Sequence, residues 1–345
     1  MFYIHKSACI SPQHTFGTPV LEQQKVYDNN QMHAIEPVYE GVPPGQLRRM
    51  GKALRMGVGS GMSLLKHHVV DGIIIGTANG GIEDSICFLN QIEEYAEGRL
   101  TPTHFVQSTF NAIAGMMGLI TKNKGYNATH VHRGAAFENV LIDAAMLLKE
   151  NTSHQYLIGA VDEISVRNYR MESLAGWYKK EIIPSNEMFS HISAGMIPGE
   201  GAAMFLVSNQ SEGAVAQMCA ITSFFCKDET TLQAQFTSFL AANNIDVQEV
   251  DLLLSGYNAD ERFTHFYDMV EAAFASKSIA RFKQLTGDFQ TVSALAVWWA
   301  VQLLHQKEIP GFMLVTGNAA IIPKYILIYN NYRGEQHSFI LLKRP

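Results

Sequence analysis

Short apolar runs that end in glycine or turn residues punctuate this chain, and amphipathic stretches fill the intervals. The runs are Gly72-Ile73-Ile74-Ile75-Gly76, Tyr156–Gly159, Ala203–Val207, Val250–Ser255, Phe312–Thr316 and Ser338–Leu342. Short, branched and bounded by turn residues, they predict strands, and their near-continuous apolar content predicts burial on both faces. Between them, apolar residues recur at helical spacing over Leu47–Lys66, Asn111–Thr121, Ala135–Glu150, Thr230–Ala242, His265–Ala275 and Thr291–Gln306. Strands alternating with helices of this length predict an α/β architecture in layers. The order strand, glycine turn, helix, junction loop, long helix and strand recurs in outline from about Ala214. That predicts two pseudo-duplicated halves, 1–213 and 214–345. No low-complexity linker separates them, so they are expected to share one core.

Composition narrows the function more than the fold. The chain has 345 residues, 47% hydrophobic and 17% charged, with a formal net charge of −6. It shows no basic stripe, which argues against a nucleic-acid binder. The start, Met1-Phe2-Tyr3-Ile4-His5-Lys6, lacks the pattern of a secretory signal. The longest apolar helix candidate, Val292 to Leu304, is too short for a membrane span. The cysteines Cys9, Cys87, Cys219 and Cys226 form no CxxC pair, so the expected compartment is the cytoplasm.

The segment His130-Val131-His132-Arg133-Gly134-Ala135-Ala136-Phe137 is a loop that runs into an apolar helix, with small residues at the junction. A covalent acyl-transfer enzyme places its nucleophile at such a junction, beside the positive end of the helix dipole. Here the position holds Arg133 and Gly134. His130 and His132 have no third ligand nearby, so no metal is expected. Gly57-Val58-Gly59-Ser60-Gly61 follows a helical pattern and has no Lys-Ser or Lys-Thr after it, which excludes a phosphate loop. Gly76 to Gly81 has the wrong spacing for a dinucleotide fingerprint, and no cofactor is expected. His67-His68 suits a helix end. Trp298 and Trp299 read as core.

Six segments, in order, resemble the β-ketoacyl-acyl-carrier-protein synthases of the thiolase fold. They are Arg48-Arg49-Met50-Gly51-Lys52 through Gly61; Ile74 to Gly81; Gly134 to Glu150 with Leu157 to Glu163; Ile197-Pro198-Gly199-Glu200-Gly201-Ala202-Ala203-Met204; Phe282-Lys283-Gln284-Leu285-Thr286-Gly287-Asp288; and Asn330 to Arg344. The resemblance implies a five-layered αβαβα unit. It also implies a Cys that takes the acyl chain, two His that help decarboxylate the extender, and backbone amides that hold the oxyanion. The Cys position falls on Arg133 or Gly134, the first His on Tyr257 and the second on Asp288. Lys283 matches the supporting lysine and Glu200 the acid of the Gly-Glu-Gly-Ala motif. The family's glycine-rich gate reads Tyr332-Arg333-Gly334-Glu335, and Met116 and Met117 stand where the family lines its acyl tunnel and dimer interface.

With every reacting group replaced, Arg133, Tyr257, Asp288 and Lys283 are expected either to fill the emptied site as a buried polar network or to bind a ligand carbonyl. The leading expectation is a non-catalytic, chain-length-factor-like partner of an active ketosynthase. The pathway is of the fatty-acid or polyketide type, as for aryl polyene or flexirubin-like pigments. Its partners are then an acyl carrier protein and either a ketosynthase homologue or a second copy of the chain. An alternative is an enzyme acting on acyl carriers with altered chemistry through Asp288, Tyr257 and Lys283. A third reading makes Cys87 the nucleophile.

Overall fold

Neighbouring residues of each strand belong to different cores, as a period of two requires of strands buried on both faces. Ile74 joins a central cluster with Ile158, Leu254 and Ile328. Its neighbours Ile73 and Ile75 join one outer cluster, while Leu253, Leu327 and Phe339 join another. A computed structural model describes residues 1–39 and 42–345. In chain order, the elements of the first half are β1 (Phe2–Ile10), α1 (Pro44–Leu47), α2 (Lys52–Leu65), β2 (Gly72–Gly76), α3 (Ile82–Glu94), α4 (Pro102–Gln107), α5 (Ala112–Thr121), β3 (Tyr126–His130), α6 (Ala136–Glu150), β4 (Gln155–Asp162), α7 (Val166–Leu174) and β5 (Gly201–Ser208). The second half has β6 (Ala216–Phe225), α8 (Glu229–Ala242), β7 (Leu252–Ser255), α9 (Thr264–Ala273), β8 (Ser278–Arg281), α10 (Lys283–Thr286), α11 (Ser293–Leu303), β9 (Leu314–Thr316), β10 (Tyr325–Tyr332) and β11 (Gln336–Lys343).

Among the described residues the strands run β3-β2-β4-β5-β1-β6-β11-β10-β7-β8-β9. Counted within each half, the order is third, second, fourth, fifth, first, and β9 is an addition at the far edge. The pairing repeats too. β2 is parallel to β3 and β4, and β4 and β1 are antiparallel to β5. In the same way β7 is parallel to β8 and β10, and β10 and β6 are antiparallel to β11. β1 pairs antiparallel with β6 and joins the halves.

α6 and α11 contribute to the central cluster between the two half-sheets. α2 and α5 cover the outer face of the first half, and α8 and α9 that of the second. Five layers result, as expected. α11 is apolar all round because it is surrounded; Trp298 and Trp299 lie within it, almost wholly buried. The helix expected over Leu47–Lys66 breaks at Gly51, the N-cap of α2, and the strand expected over Phe312–Thr316 is trimmed to β9. No helix of the described residues is long and apolar enough to cross a membrane.

Candidate functional site

β3 delivers the chain to the junction that the sequence singled out. The Thr77 amide, at the end of β2, donates to the His130 carbonyl at 3.1 Å. Val131 and His132 then lead into a 3-10 turn, Arg133–Ala135, that opens α6. Arg133 adopts a left-handed conformation with φ 47°, which costs a residue with a Cβ, and it sets a cation at the positive end of a helix. Its side chain is exposed and makes no ion pair among the described residues. Gly134 is buried, and its amide donates to Gln336 Oε1 at 2.9 Å. A Cβ built on Gly134 overlaps that of Tyr332 and stands 2.6 Å from Tyr332 Cγ. A side chain at position 134 therefore has no room while Tyr332 stays where it is.

Two loops of the second half supply the remaining groups. Asp288 follows α10 and Gly287. Its Oδ1 pairs with Lys283 Nζ at 3.0 Å, and its Oδ2 accepts from Asn258 Nδ2 at 2.7 Å. Its backbone is tied to Ile197 and Gly199, beside Glu200. Lys283 is completely buried and also donates to the Tyr267 hydroxyl at 3.3 Å. Burial pulls the Lys283 ammonium below the usual lysine range, against the opposing pull of Asp288.

The four-residue network expected from the sequence is only half present. Arg133 lies at the surface. Tyr257 turns into the outer core, where the Arg281 guanidinium sits 3.6 Å from its ring centroid. The next residue, Asn258, reaches Asp288 instead. The loop after β7 sets this, because Tyr257 has an apolar pocket to fill and Asn258 has a buried carboxylate to satisfy.

The two acids that the first half contributes are better satisfied. Glu200, wholly buried, accepts from the Ala34 and Ile164 amides at 2.8 Å each, faces His33 Nδ1 at 3.1 Å and pairs with Lys52. Burial works against its charge, but the His33 hydrogen bond, the Lys52 ammonium and the Ile164 amide outweigh it and hold the carboxyl below its ordinary range. Asp162, at the end of β4, accepts from the Thr77 and Thr291 hydroxyls at 2.9 and 2.8 Å and from the Ala78 and Asn79 amides at 3.0 and 2.8 Å. It pins the loop after β2 to the start of α11. The sequence reading passed over Asp162, although its place beside Glu163 at a strand end was visible.

Tyr332 and Arg333 lie in the turn between β10 and β11. Burial pushes the Tyr332 phenol up to about 12, so it stays neutral, and its hydroxyl accepts from Gln290 Nε2 at 3.3 Å. Arg333 pairs with Glu172 and lies 3.9 Å from the centroid of Trp177. Gln290, Gln336, Glu172 and Trp177 had no motif to announce them; in the structure the register of β10 on β11 sets Gln336 opposite Tyr332. Met117 packs in the outer core against Gly61, with Met116 half-buried beside it. Cys87, on α3, faces Arg167 Nη1 at 3.7 Å. His130 pairs with Asp143 at 2.9 Å while His132 points into solvent. Both Asp288 oxygens are thus engaged, Lys283 is sealed in, and the junction has neither thiol nor hydroxyl.

Residues 22–176 match the family model described as Beta-ketoacyl synthase, N-terminal domain. No curated protein matches the chain. Among solved structures, a β-ketoacyl synthase from Burkholderia phymatum STM815 superposes with a TM-score of 0.80 at 13% identity, over 100% of this chain and 99% of that one. The ishigamide ketosynthase/chain length factor gives 0.76 at 14% identity, with 100% and 99% covered. The ketosynthase ApeO in complex with its chain length factor ApeC from Xenorhabdus doucetiae gives 0.76 at 11%, with 100% and 98% covered. Identities this low establish a shared fold.

Proposed function

We propose that this chain, a β-ketoacyl-synthase-like protein of the thiolase fold, is a non-catalytic partner subunit of an active ketosynthase, in the manner of a chain length factor. The observation that carries this reading is the filled junction. Arg133 stands outside, Gly134 lies under Tyr332, and the two positions matched to the family's histidines hold Tyr257 in the outer core and Asp288 in an ion pair. The frame that held such a site remains, including Glu200 and Lys283, while the reacting groups do not.

A partner needs a surface, and the first half offers one. β3 is the outermost strand on its side, and it carries no Lys, Arg or Pro to guard its free edge. Large apolar side chains on it and next to it in the chain or on α5 are exposed: Tyr126 and Val131 at its two ends, Phe110 ahead of α5, and Leu119 of α5, which is 77% exposed. Monomers seldom leave so many together. We assign this surface to a homologous ketosynthase. The pathway we assign is fatty-acid or polyketide-like, of the aryl polyene or flexirubin-like pigment kind, with an acyl carrier protein as second partner in the cytoplasm.

Co-expression with the Cys-bearing ketosynthase encoded nearest to this chain, followed by size exclusion, tests the reading. A stable one-to-one complex is the expected result; persistent separation of the two proteins overturns it. Incubation of the chain alone with malonyl and acyl carrier proteins is expected to give no condensation or decarboxylation by mass spectrometry. Turnover lost in Asp288→Ala favours altered chemistry instead.

A further inference from the structure

The turn that joins β10 to β11 reaches across the fold to the mouth of α6 and fills the space and the backbone donor at Gly134. Tyr332 covers Gly134, and Gln336, its cross-strand partner, puts a carbonyl oxygen 2.9 Å from the Gly134 amide. An amide carbonyl on a backbone N–H at a helix N-terminus imitates the ligand such a donor is built to hold. The turn is also fastened. Its central residues Arg333 and Gly334 are both left-handed, with φ 56° and 63°, and the Glu335 amide donates to the Tyr332 carbonyl at 3.2 Å. Gly334 packs so closely that a Cβ there stands 2.5 Å from Phe263. Arg333 is held by Glu172 of α7 and by the face of Trp177, whose ring also takes the Arg262 guanidinium at 4.8 Å. Arg262 is anchored in turn by Asp260 at 2.6 Å.

We propose that the Tyr332–Gln336 turn is a built-in occupant of the vestigial acyl site: Tyr332 and Gln336 take the place of an acyl thioester over Gly134, and Arg333 locks them there. The inference rests on the non-catalytic reading above and goes beyond it. It says that this subunit is closed to pantetheine-borne chains by its own residues, so that a growing chain can lodge only in the partner. It also assigns Arg333 the part of a latch.

Octanoyl-pantetheine is the probe, used on the full-length chain, with binding followed by calorimetry and by its protection of the turn from hydrogen exchange. The wild type is expected to show no saturable binding up to millimolar probe. Tyr332→Ala is expected to bind at least ten-fold more tightly than that limit. Arg333→Ala, with plug intact and latch removed, is expected to show faster exchange of amides 331–336 and intermediate binding. Saturable wild-type binding at the affinity of Tyr332→Ala overturns the proposal. So does a folded Tyr332→Ala that gains nothing, or an Arg333→Ala whose turn exchanges as slowly as the wild type. Should Tyr332→Ala fail to fold, the wild-type and Arg333→Ala measurements still decide. Association with the ketosynthase is measured on the same samples. Loss of that association in the wild type refutes the partner role, whereas tight wild-type binding of the probe refutes the plug alone.

Discussion

The two halves repeat one strand order and differ at the margin. The outermost strand of the second half, β8, is capped by β9, a three-residue antiparallel addition with no counterpart among the described residues of the first half. Its equivalent, β3, has no strand beyond it among the described residues. The halves also hold their buried carboxylates differently. Asp162 is satisfied wholly by hydroxyls and amides, whereas Asp288 is matched to a buried Lys283. The interior of a duplicated fold is constrained by packing, so divergence collects at edges and loop ends, where a partner or a site can use it. The naked β3 edge and the filled junction lie on the same half, and β3 runs directly into the junction.

The contrast between the two carboxylates gives the largest expected effect. Asp288→Ala leaves Lys283 buried without its counter-charge, and we expect a loss of about 3–5 kcal/mol in urea unfolding. The double variant Lys283→Met, Asp288→Ala removes both charges and is expected to recover most of that loss. If the single variant costs less than about 1 kcal/mol, the pair is not holding this end of the second half.

Next in size is the contrast between edges. Leu119→Glu puts a charge into the apolar surface beside β3, and we expect ketosynthase association to weaken about a hundredfold, roughly 2.7 kcal/mol. Val315→Asp, at a partly exposed site on the capping strand β9, is expected to leave association unchanged. Titration of the complex by analytical ultracentrifugation separates the two. Equal weakening by both variants would move the interface away from β3.

Much of this was legible in the residues. The buried strands read clearly because Ile73 to Ile75 and Leu252 to Leu254 are apolar on both faces. β3 did not, because Tyr126-Asn127-Ala128-Thr129-His130 is an edge strand with polar side chains, and nothing in its composition separates it from a loop. Lys283, Asp288 and Glu200 were reached through the resemblance of their segments to a known family, and all three are buried and bonded. Tyr257 was one residue away from Asn258, the side chain that enters the site, since a loop's spacing does not say which side chain turns inward. Arg133 was expected inside on the strength of its position. It lies outside, because Tyr332, some two hundred residues later, occupies the space, and no local pattern carries a contact of that range.

The smallest effect concerns the seam between the halves, where Glu138 of α6 meets the second half. Its Oε1 accepts from the Ser338 hydroxyl at 2.9 Å, while Oε2 has no partner among the described residues, and the residue is fully buried. Burial pushes its carboxyl from 4.5 up to about 7. The folded state therefore keeps this proton over a range in which the unfolded state has released it. The stabilisation is full below about pH 4.5, declines as pH rises and is lost above about 7. A shift of this size corresponds to at most about 3 kcal/mol. Glu138→Gln cannot titrate, so we expect it to match the wild type near pH 5 and to exceed it by about 2 kcal/mol at pH 8. Glu163, raised to about 7 by burial and by Glu200, keeps a slope in both proteins. His337, pulled down to about 4 by burial, costs both of them stability as pH falls below 6.5. Both contributions cancel in the difference between the two urea-unfolding curves. A difference that stays flat from pH 5 to pH 8 means that Glu138 is ionised in the folded protein, and that the seam holds a buried charge where a neutral acid is expected.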